Sequence, residues 1–485
     1  MSATTTEAPV RRAHRYQLAS TAGHLTPTER AAQGKALRTE VPRESHAAFE
    51  PSSDRQDPLD LLEEQEVTRV PQLVPVRHGR MMISPFSYFR GAALPMASDL
   101  AATPVTGLAV QACGDAHLSN FGVFGTPERN LVFDINDFDE TLPGPWEWDL
   151  KRLAASMEIA ARGSGLPVRK RREIVLATVA SYRQAMRDFA GMTNLGVWYA
   201  RIDIERPQSQ FQALMKARQR KQMGKAVTKA RARDSMQAVS KLTHLVDGRQ
   251  RIASDPPLVI AADELVPAND RKALEALLAD LIRRYRRTLD YDRRLLLEQY
   301  EFADIAFKVV GVGSVGTRCW IVLMLGRDDS DPLLLQVKEA EVSVLSRFAG
   351  ASKFANQGQR VVAGQRLMQA ASDIFLGWQR TESPLDGQER DFYVRQLRDW
   401  KFSFDIGAMA PRGMGIYGRV CAWTLARAHA RSGDRIAIAA YLGRSDLFDQ
   451  AIAQFAAAYA DQNERDYDAL VNAVSSGRMT AEHDL

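Results

Sequence analysis

The spacing of apolar residues predicts helices in several parts of the chain. One helix is predicted to begin at Pro145, because Leu150, Leu153 and Met157 then lie on one face. A second apolar stripe predicts a helix over about 167–190. Further helical segments are predicted over the following ranges: a basic stretch at 213–243, then about 267–290, 356–372 and 417 to the end.

Short apolar runs bounded by turn residues predict β-strands in other regions. The run "RNLVFDINDFDE" is rich in β-branched and aromatic residues and predicts a strand that ends in acids. From about residue 304, "DIAFKVVGVGSVGTRCWIVLMLGRDDSDPLLLQVKEA" predicts three strands joined by a Gly-rich turn and a polar turn. "DIFLGW" and "DFYVRQL" predict a further strand pair, and "LTHLVDGRQRI" predicts a hairpin around Asp247 and Gly248.

The composition is typical of a globular protein, and the N-terminal segment lacks a regular apolar pattern. The chain has 485 residues, of which 45% are apolar and 25% charged, which is enough for two or three domains. Residues 1–65 are rich in Ala, Thr, Glu, Arg and Pro without a sustained period, which predicts a disordered leader. The formal net charge of +5 suits anionic ligands in general and does not by itself indicate nucleic acid.

Cysteine usage and the lack of long apolar runs predict a cytoplasmic protein without a membrane anchor. Cys113, Cys319 and Cys421 are far apart and odd in number, which fits neither a disulfide framework nor a zinc site. No run approaches the ~18 apolar residues of a transmembrane helix. The N-terminus also lacks the apolar segment of a secretory signal.

The stretch "CGDAHLSNFGVFG" contains the first candidate catalytic and metal-binding residues. Asp115 and Asn120 are five positions apart, as in a phosphotransferase loop whose Asp takes the proton of the attacking hydroxyl and whose Asn oxygen binds Mg²⁺. Mg²⁺ prefers oxygen ligands and usually takes few of them from the protein. The following "DINDFDE" supplies a second carboxylate, from Asp134, Asp137 or Asp139.

Two other interpretations of this stretch are open. Asp and Asn favour turns for local hydrogen-bonding reasons, so the pair alone also fits a structural turn. Gly-Asp-x-His opens metallophosphoesterase sites as well, but those sites need several more His and acidic ligands for two metals. After His117 the chain has only His244, His429 and His483, none in a Gly-Asn-His or similar context.

The run "GVGSVG" is the second candidate feature. Its Gly-x-Gly-x-x-Gly spacing is typical of a dinucleotide fingerprint only when a helix follows. Here "TRCWIVLMLG" follows, which is rich in Trp, Ile and Val and predicts a strand. The glycines therefore predict a hairpin loop whose backbone amides cover phosphates, and Lys338 on the next strand is placed to reach phosphate oxygens. A plain Gly-rich hairpin with a solvated lysine is the alternative.

Taken together, these residues resemble the protein-kinase-like superfamily, and most closely the aminoglycoside-type phosphotransferases. Those proteins use His-Gly-Asp-x-His-x-x-Asn, then Ile-Asp-Phe or similar, then an Asp-Leu that opens a helix. The matching positions in this sequence are Gly114, Asp115, His117 and Asn120; Asp137, Phe138 and Asp139; Asp149 and Leu150; and, for the Gly-rich loop and the strand lysine, Gly311, Gly313, Gly316 and Lys338.

This resemblance implies an ATP-dependent phosphotransferase of the α+β class, with a small antiparallel β lobe and a larger helical lobe. It implies Asp115 as catalytic base, with Asn120 and Asp137 as Mg²⁺ ligands. Asp134 and Asp139 are the alternative ligands, and the spacing to the helix-opening Asp-Leu favours Asp137. It also implies that the nucleotide phosphates are bound by Gly311, Gly313, Gly316 and Lys338.

Three departures from the kinase pattern stand out. The Gly-rich loop follows the Asp115 loop instead of preceding it, which implies a circularly permuted fold. Cys113 replaces the usual His before Gly-Asp. The glutamate that normally pairs with the strand lysine is missing between Val342 and Thr381, so Gln359 or a different acid is expected to take that role.

The whole chain is also similar to an uncharacterised bacterial family, domain of unknown function 2252. The similarity covers about residues 70–470 through phrases such as "GDAHLSNFG", "FDINDFDET", "WEWDLKRLAAS" and "YADQNERDYDAL". The predicted organisation is a leader at 1–65, a helical lobe with the catalytic loops at 66–300, a β lobe at 301–410, and helices that complete the helical lobe at 411–485.

A second class of function is also considered, a nucleotide- or nucleic-acid-binding protein without catalysis. Eight Lys or Arg residues between Lys216 and Arg233 form a basic run, but no aromatic residue interleaves with it for base stacking. Four basic residues flank "MMISPFSYF" and are expected either to contact phosphates or to be surface charges: Arg77, His78, Arg80 and Arg90. The phosphoryl acceptor stays open among a sugar, an aminoglycoside, a lipid head group and a protein hydroxyl.

Overall fold

The computed structural model of the protein describes most of the chain. The described positions are Tyr16, Leu18, 25–205, Gly224, Thr228, Val239, 242–246, 249–261, Glu264, 280–382, 387–397 and 400–482. Over these residues the chain is mixed α+β with small antiparallel sheets, as the sequence predicted at that level. The predicted basic helix at 213–243 lies almost wholly outside the described residues, as does the first half of the helix expected at 267–290.

The helices with described bounds are α1 (Pro27–Glu40), α2 (Pro58–Glu66), α3 (Val74–Met81), α4 (Pro85–Gly91), α5 (Ala93–Ala101), α6 (Trp146–Gly163), α7 (Val168–Ala190), α8 (Asn194–Tyr199), α9 (Tyr291–Leu297), α10 (Ser346–Ala349), α11 (Gln357–Met368), α12 (Pro411–Ser432), α13 (Arg435–Leu442) and α14 (Leu447–Ser475). The predicted starts of α6 and α7 are confirmed to within one residue. In both helices a proline stands just before the first turn, where its fixed φ angle favours helix entry.

The strands are β1 (Ala109–Ala112), β2 (Phe121–Gly125), β3 (Leu131–Ile135), β4 (Leu142–Pro145), β5 (Ile202–Asp203), β6 (Thr243–Val246), β7 (Arg249–Ile252), β8 (Val259–Ala261), β9 (Glu301–Lys308), β10 (Cys319–Leu325), β11 (Pro332–Glu339), β12 (Gly377–Glu382) and β13 (Glu389–Gln396). The largest sheet has six strands in the order β12-β13-β11-β10-β9-β8, and all its neighbours are antiparallel. The Gly-rich run connects the antiparallel strands β9 and β10, so the predicted hairpin is confirmed. The β6–β7 hairpin is confirmed as well.

Separate hydrophobic cores lie under the helices and under the six-stranded sheet. The helical core joins α6, α7, α12 and α14 with β1 to β4 and includes the fully buried Trp146 and Leu150. One face of the six-stranded sheet packs on α3 and on Tyr285 and Leu289 from the segment before α9. Burial of these apolar faces is the main driving force for both packings.

The N-terminal region differs from the prediction of a disordered leader. Residues 27–66 contain α1 and α2, and α1 begins with a capping box between Thr26 and Glu29. Arg38 donates a hydrogen bond to the carbonyl of Tyr441 at 2.9 Å, which ties α1 to α13. The helix has many polar residues, so its apolar stripe is too weak to be read from periodicity, and docking on α13 stabilises it.

No helix within the described ranges has both the length and the apolar character needed to cross a lipid bilayer.

Replacing Gly34 by Leu is expected to dislodge α1. A Cβ atom at this position would lie 2.1 Å from the carbonyl oxygen of Ala437, so a larger side chain forces the two helices apart. We expect a loss of about 1–3 kcal/mol in the free energy of unfolding, measured by urea denaturation, with faster tryptic cleavage after Lys35. Ala36→Leu, on the exposed face of the same helix, is the control. Equal stability of both variants would contradict the docking of α1.

Candidate active site

A polar cleft of about 430 Å³ lies where the Asp115 loop faces the Gly-rich loop. The cleft brings together residues from three distant parts of the sequence: Gln65, Arg69, Arg90, Gly91, Ala93, Asp115, His117, Asn120, Asp137, Asp139, Glu140, 308–314, Gln336, Lys338, Arg395, Leu397 and Lys401. Of the residues predicted from the sequence, Asp115, Asn120, Asp137, Gly311, Gly313 and Lys338 line this cleft. Gly316 is not among the lining residues.

The Asp115 loop owes its conformation to Gly114 and Asp149. Gly114 has φ +80°, and a Cβ there would lie 2.4 Å from the carbonyl oxygen of Glu140, so only glycine fits. Pairing of β1 with β4 brings the first turn of α6 beside this loop. From that turn, Asp149 accepts hydrogen bonds from the backbone N–H groups of Cys113 at 2.6 Å and Gly114 at 2.9 Å.

Asp149 is itself held by a buried side chain from another helix. His429 on α12 lies with Nε2 3.0 Å from Asp149 Oδ2, and its Nδ1 lies 2.8 Å from the hydroxyl of Tyr182 on α7. All three side chains are buried. His429 is therefore a structural residue, and the Asp-Leu at the start of α6 serves to fix the Asp115 loop in place.

The two carboxylate oxygens of Asp115 have different surroundings. Oδ1 accepts a charge-assisted hydrogen bond from Arg152 Nε at 2.5 Å. Oδ2 has only long contacts, 3.4 Å to Asn120 Nδ2 and 3.5 Å to His117 Nε2. Burial lowers the pKa of His117 to about 4, so its imidazole is neutral at pH 7. Oδ2 is thus the oxygen left to accept a proton from a group in the cleft.

Asp137 has an unsatisfied oxygen that fits a cation. Burial alone would raise the pKa of Asp137, but the charges of Lys338, Arg395 and Lys401 lower it to about 2, so the group is ionised. Its Oδ1 is buried without a hydrogen-bond partner. A buried charged oxygen without a partner is costly, and a bound metal ion would satisfy it. No cluster of three or more His, Cys, Asp or Glu side chains suited to a metal occurs in the described part of the chain.

The other two acids of this segment are already engaged. Asp134, one alternative ligand, is buried and accepts from Arg427 Nη2 at 2.6 and 2.8 Å, so its carboxylate belongs to the core. Asp139, the other alternative, accepts a hydrogen bond from the Tyr393 hydroxyl at 2.8 Å and forms an ion pair with Lys338.

Asp139 is therefore the partner of the strand lysine. Of the two options left open, a different acid takes this role and Gln359 does not. Burial acts against the ammonium of Lys338, but Asp137 and Asp139 raise its pKa, so it carries its charge. Gln359 instead donates its backbone N–H to the side chain of Asn356 at the start of α11. The sequence pattern suggested a partner on a helix after Lys338. The observed partner, Asp139, instead precedes Lys338 by 199 positions.

Side chains outside the hairpin hold the Gly-rich loop. Arg69 Nη2 donates to the carbonyl of Gly313 at 3.1 Å, and Arg80 Nη1 donates to the carbonyl of Val310 at 2.6 Å. Gly316 has φ +90°, and a Cβ there would lie 2.9 Å from Arg69 Cβ, so this glycine serves the turn and not the cleft. Of the four cationic residues noted near "MMISPFSYF", only Arg90 lines the cleft.

Sequence reasoning missed several cations of the site: Arg69, Arg152, Lys308, Arg395 and Lys401. Lys401 arrives because Phe402 exchanges two backbone hydrogen bonds of 2.9 Å with Val123 of β2. No motif marks these positions. The one available signal was Arg152, a charged residue directly before Leu153 in the apolar pattern of α6.

The sequence profile of a family described as an uncharacterized protein conserved in bacteria, domain of unknown function 2252, matches residues 69–473. The chain therefore belongs to this family. Searches of the curated proteins and of the solved structures found no match.

Lys401 is expected to titrate near neutral pH. Burial, Arg395 and Lys338 lower its pKa to about 7, whereas Asp137 acts in the opposite direction. Its amine should therefore be neutral above about pH 7 and charged below. Competitive labelling with acetic anhydride, read by mass spectrometry between pH 5 and 9, should show a midpoint near 7.

In the Asp137→Asn variant the midpoint should move to lower pH, because an attractive charge is lost. The exposed Lys353 provides the reference for reagent reactivity. A wild-type midpoint above 9 would contradict the environment described for Lys401.

Proposed function

We propose that the protein is an ATP-dependent phosphotransferase that moves the γ-phosphoryl group to a hydroxyl acceptor. The observation that carries this proposal is the shared cleft. Asp115, Asp137 and Lys338 come from separate parts of the sequence, yet they line one cavity together with Gly311 and Gly313. A catalytic carboxylate, a cation-seeking carboxylate, a fixed ammonium and a Gly-rich hairpin form the set that phosphoryl transfer requires.

In this reaction the acceptor oxygen forms a new bond to the γ-phosphorus while the bond to the β,γ-bridging oxygen breaks and ADP leaves. The acceptor proton passes to Asp115, whose Oδ2 is the less engaged oxygen. Arg152 holds the other oxygen and so fixes the direction of the carboxylate. Such a site works mainly by positioning and by neutralising charge.

Asn120 and Asp137 would hold a Mg²⁺ ion, which supplies charge neutralisation at the phosphate oxygens when bound. The unpartnered Oδ1 of Asp137 supports this assignment. The Nδ2 of Asn120 donates to the carbonyl of Asp115 at 2.8 Å, and this contact leaves the amide oxygen available as a ligand.

A kinase-like fold in permuted order accounts for the arrangement. The antiparallel sheet that carries Lys338 has its own hydrophobic core and follows the Asp115 loop in sequence. Helices from both flanks of this sheet, α6 and α7 before it and α12 and α14 after it, share the other core. In this proposal the six-stranded sheet corresponds to the small lobe and the helical core to the large one.

A non-catalytic nucleotide-binding protein is the second candidate. It is favoured by one contact, the ion pair of Arg152 with Asp115, which already engages one carboxylate oxygen within the protein.

Asp115→Asn should separate the two candidates. In the phosphotransferase, this variant should lose at least 99% of ATP turnover, because the amide cannot accept the proton, and should still bind ATP with Mg²⁺. Turnover is followed by ADP release, and binding by thermal shift with ATP, GTP, ADP and NAD. Ligand at about 100 times its Kd should stabilise the fold by about 2.7 kcal/mol.

The exposed Asp468→Asn is the matched control and should behave as the wild type. Undiminished turnover in Asp115→Asn would rule out this residue as the base. Stabilisation by NAD but not by ATP with Mg²⁺ would contradict the proposal as a whole.

Lys338→Met should weaken ATP binding about tenfold or more, because the cleft loses a phosphate-binding charge and Asp137 and Asp139 then repel the anion. Calorimetric titration with ATP and Mg²⁺ measures the change, and circular dichroism checks the fold, since removal of one partner of a buried ion pair costs about 3–5 kcal/mol. The exposed Lys353→Met removes the same charge at the surface and should leave the affinity unchanged. Equal affinity in both folded variants would show that Lys338 does not contact the nucleotide.

A further inference from the structure

A second cavity, of about 570 Å³, adjoins the cleft. Arg90 lines both cavities, and Ser119 in the second cavity directly precedes Asn120 in the first. The remaining lining comes from the start of α4, the end of α6, the segment before α12 and one residue of α14: Ser84, Pro85, Phe86, Ile159, Ala160, Arg162, Gly163, Ser164, Phe404, Asp405, Ile406, Gly407 and Glu464. The second cavity thus opens beside the loop that carries Asp115.

The walls of this cavity carry more apolar than polar surface. Phe86, Ile159, Phe404 and Ile406 line it. The charge of Arg162 is matched by acids, with contacts of 3.0 Å to Glu158, 2.6 Å to Asp461 and 3.2 Å to Glu464. Ser84 and Ser164 are also hydrogen-bonded within the protein. A volume in the range of small-molecule sites, with more apolar than polar wall surface, suits a compact ligand with an apolar body.

Arg90 stands between the two cavities with an incompletely satisfied guanidinium. Its Nε is buried without a hydrogen-bond partner among the described residues. Burial lowers the pKa of Arg90, while Asp115 and Asp137 act to raise it, which puts its charge near both carboxylates. A guanidinium there can contact a phosphoryl group that lies between a donor in the cleft and an acceptor in the second cavity.

We propose that the second cavity binds the phosphoryl acceptor, and that this acceptor is a small alcohol with an aromatic or branched aliphatic body. The inference rests on the proposed phosphotransferase function and narrows its substrate class. The apolar body lies against Phe86, Ile159 and Phe404, and the hydroxyl points past Ser119 towards Asp115. There its oxygen bonds to the γ-phosphorus of ATP, its proton passes to Asp115, and ADP departs from the cleft.

The apolar wall surface argues against a sugar as the acceptor. A sugar has hydroxyl groups on most sides, and burying them against apolar walls leaves hydrogen bonds unmade at a cost of about 1–3 kcal/mol each.

Gly163→Leu tests the location of the acceptor. Gly163 lines the second cavity, and nothing lies within 4 Å of a Cβ placed there, so a larger side chain enters open space without a clash. Gly413→Leu is the matched control, since a Cβ at this α12 position also meets nothing within 4 Å and the residue lines neither cavity. The probes are 2-phenylethanol, glucose and casein.

Binding of 2-phenylethanol is measured by saturation-transfer NMR on the full chain, and acceptor-stimulated ADP release is measured with ATP and Mg²⁺. We expect 2-phenylethanol to bind the wild type and Gly413→Leu, and to bind Gly163→Leu at least tenfold more weakly. ADP release stimulated by this alcohol should fall in parallel, while ATP binding by thermal shift stays unchanged.

Equal binding of 2-phenylethanol to both glycine variants, or no binding to the wild type, would overturn the inference. Stimulation by glucose or casein but not by 2-phenylethanol would overturn the proposed substrate class. Failure of the phosphotransferase proposal would give a different result. In that case ATP would not stabilise the protein, although 2-phenylethanol would still bind and Gly163→Leu would still weaken its binding.

Discussion

The ion pair between Lys338 and Asp139 is the contact on which the cleft depends. It joins β11 of the six-stranded sheet to the acidic segment after β3, across 199 positions of sequence. Tyr393 on the neighbouring strand β13 also binds Asp139, so two strands of the sheet hold the same carboxylate. Such a pair contributes little net stability compared with apolar packing. It nevertheless specifies one arrangement, because the ammonium of Lys338 is buried and needs acidic partners from the helical side. The separate hydrophobic cores allow the sheet and the helices to fold, and this contact sets how the Gly-rich loop meets Asp115.

On the helical side of the cleft, a chain of buried hydrogen bonds holds the Asp115 loop in place. The Asp115 loop has no long secondary structure of its own, and its backbone N–H groups bond to Asp149, which His429 and Tyr182 hold in turn. Each member of this chain is buried and satisfied, so moving the loop would break several hydrogen bonds together in a medium of low dielectric constant. The carboxylate of Asp115 is thereby oriented before any ligand arrives.

The sequence predicted the elements well because its local patterns are strong. The apolar stripe of α7 marks the face that this helix buries, and periodicity reports such one-sided burial directly. Strands β10 and β11 are buried along almost their whole length, which their continuous apolar runs indicate. Periodicity could not predict α1, whose stability comes from a close approach at Gly34. It also could not predict which acid meets Lys338, because that choice depends on how two distant segments fold together. Lys401 was missed for the same reason, since a backbone bridge from Phe402 to β2 brings it to the cleft.

The balance of charge in the cleft gives the strongest physical reason to expect an anionic ligand. Six cationic side chains line it, namely Arg69, Arg90, Lys308, Lys338, Arg395 and Lys401, against four acids, Asp115, Asp137, Asp139 and Glu140. The surroundings of two of these groups favour their neutral forms: burial and neighbouring cations lower the pKa of Lys401 to about 7, and burial raises the pKa of Glu140 to about 7. A bound polyphosphate reverses the first effect, because its negative charge favours the ammonium of Lys401. Asp137 and Asp139, which would repel that anion, are opposed by the charges of Lys338 and Arg395, so acids and cations offset one another within one small volume.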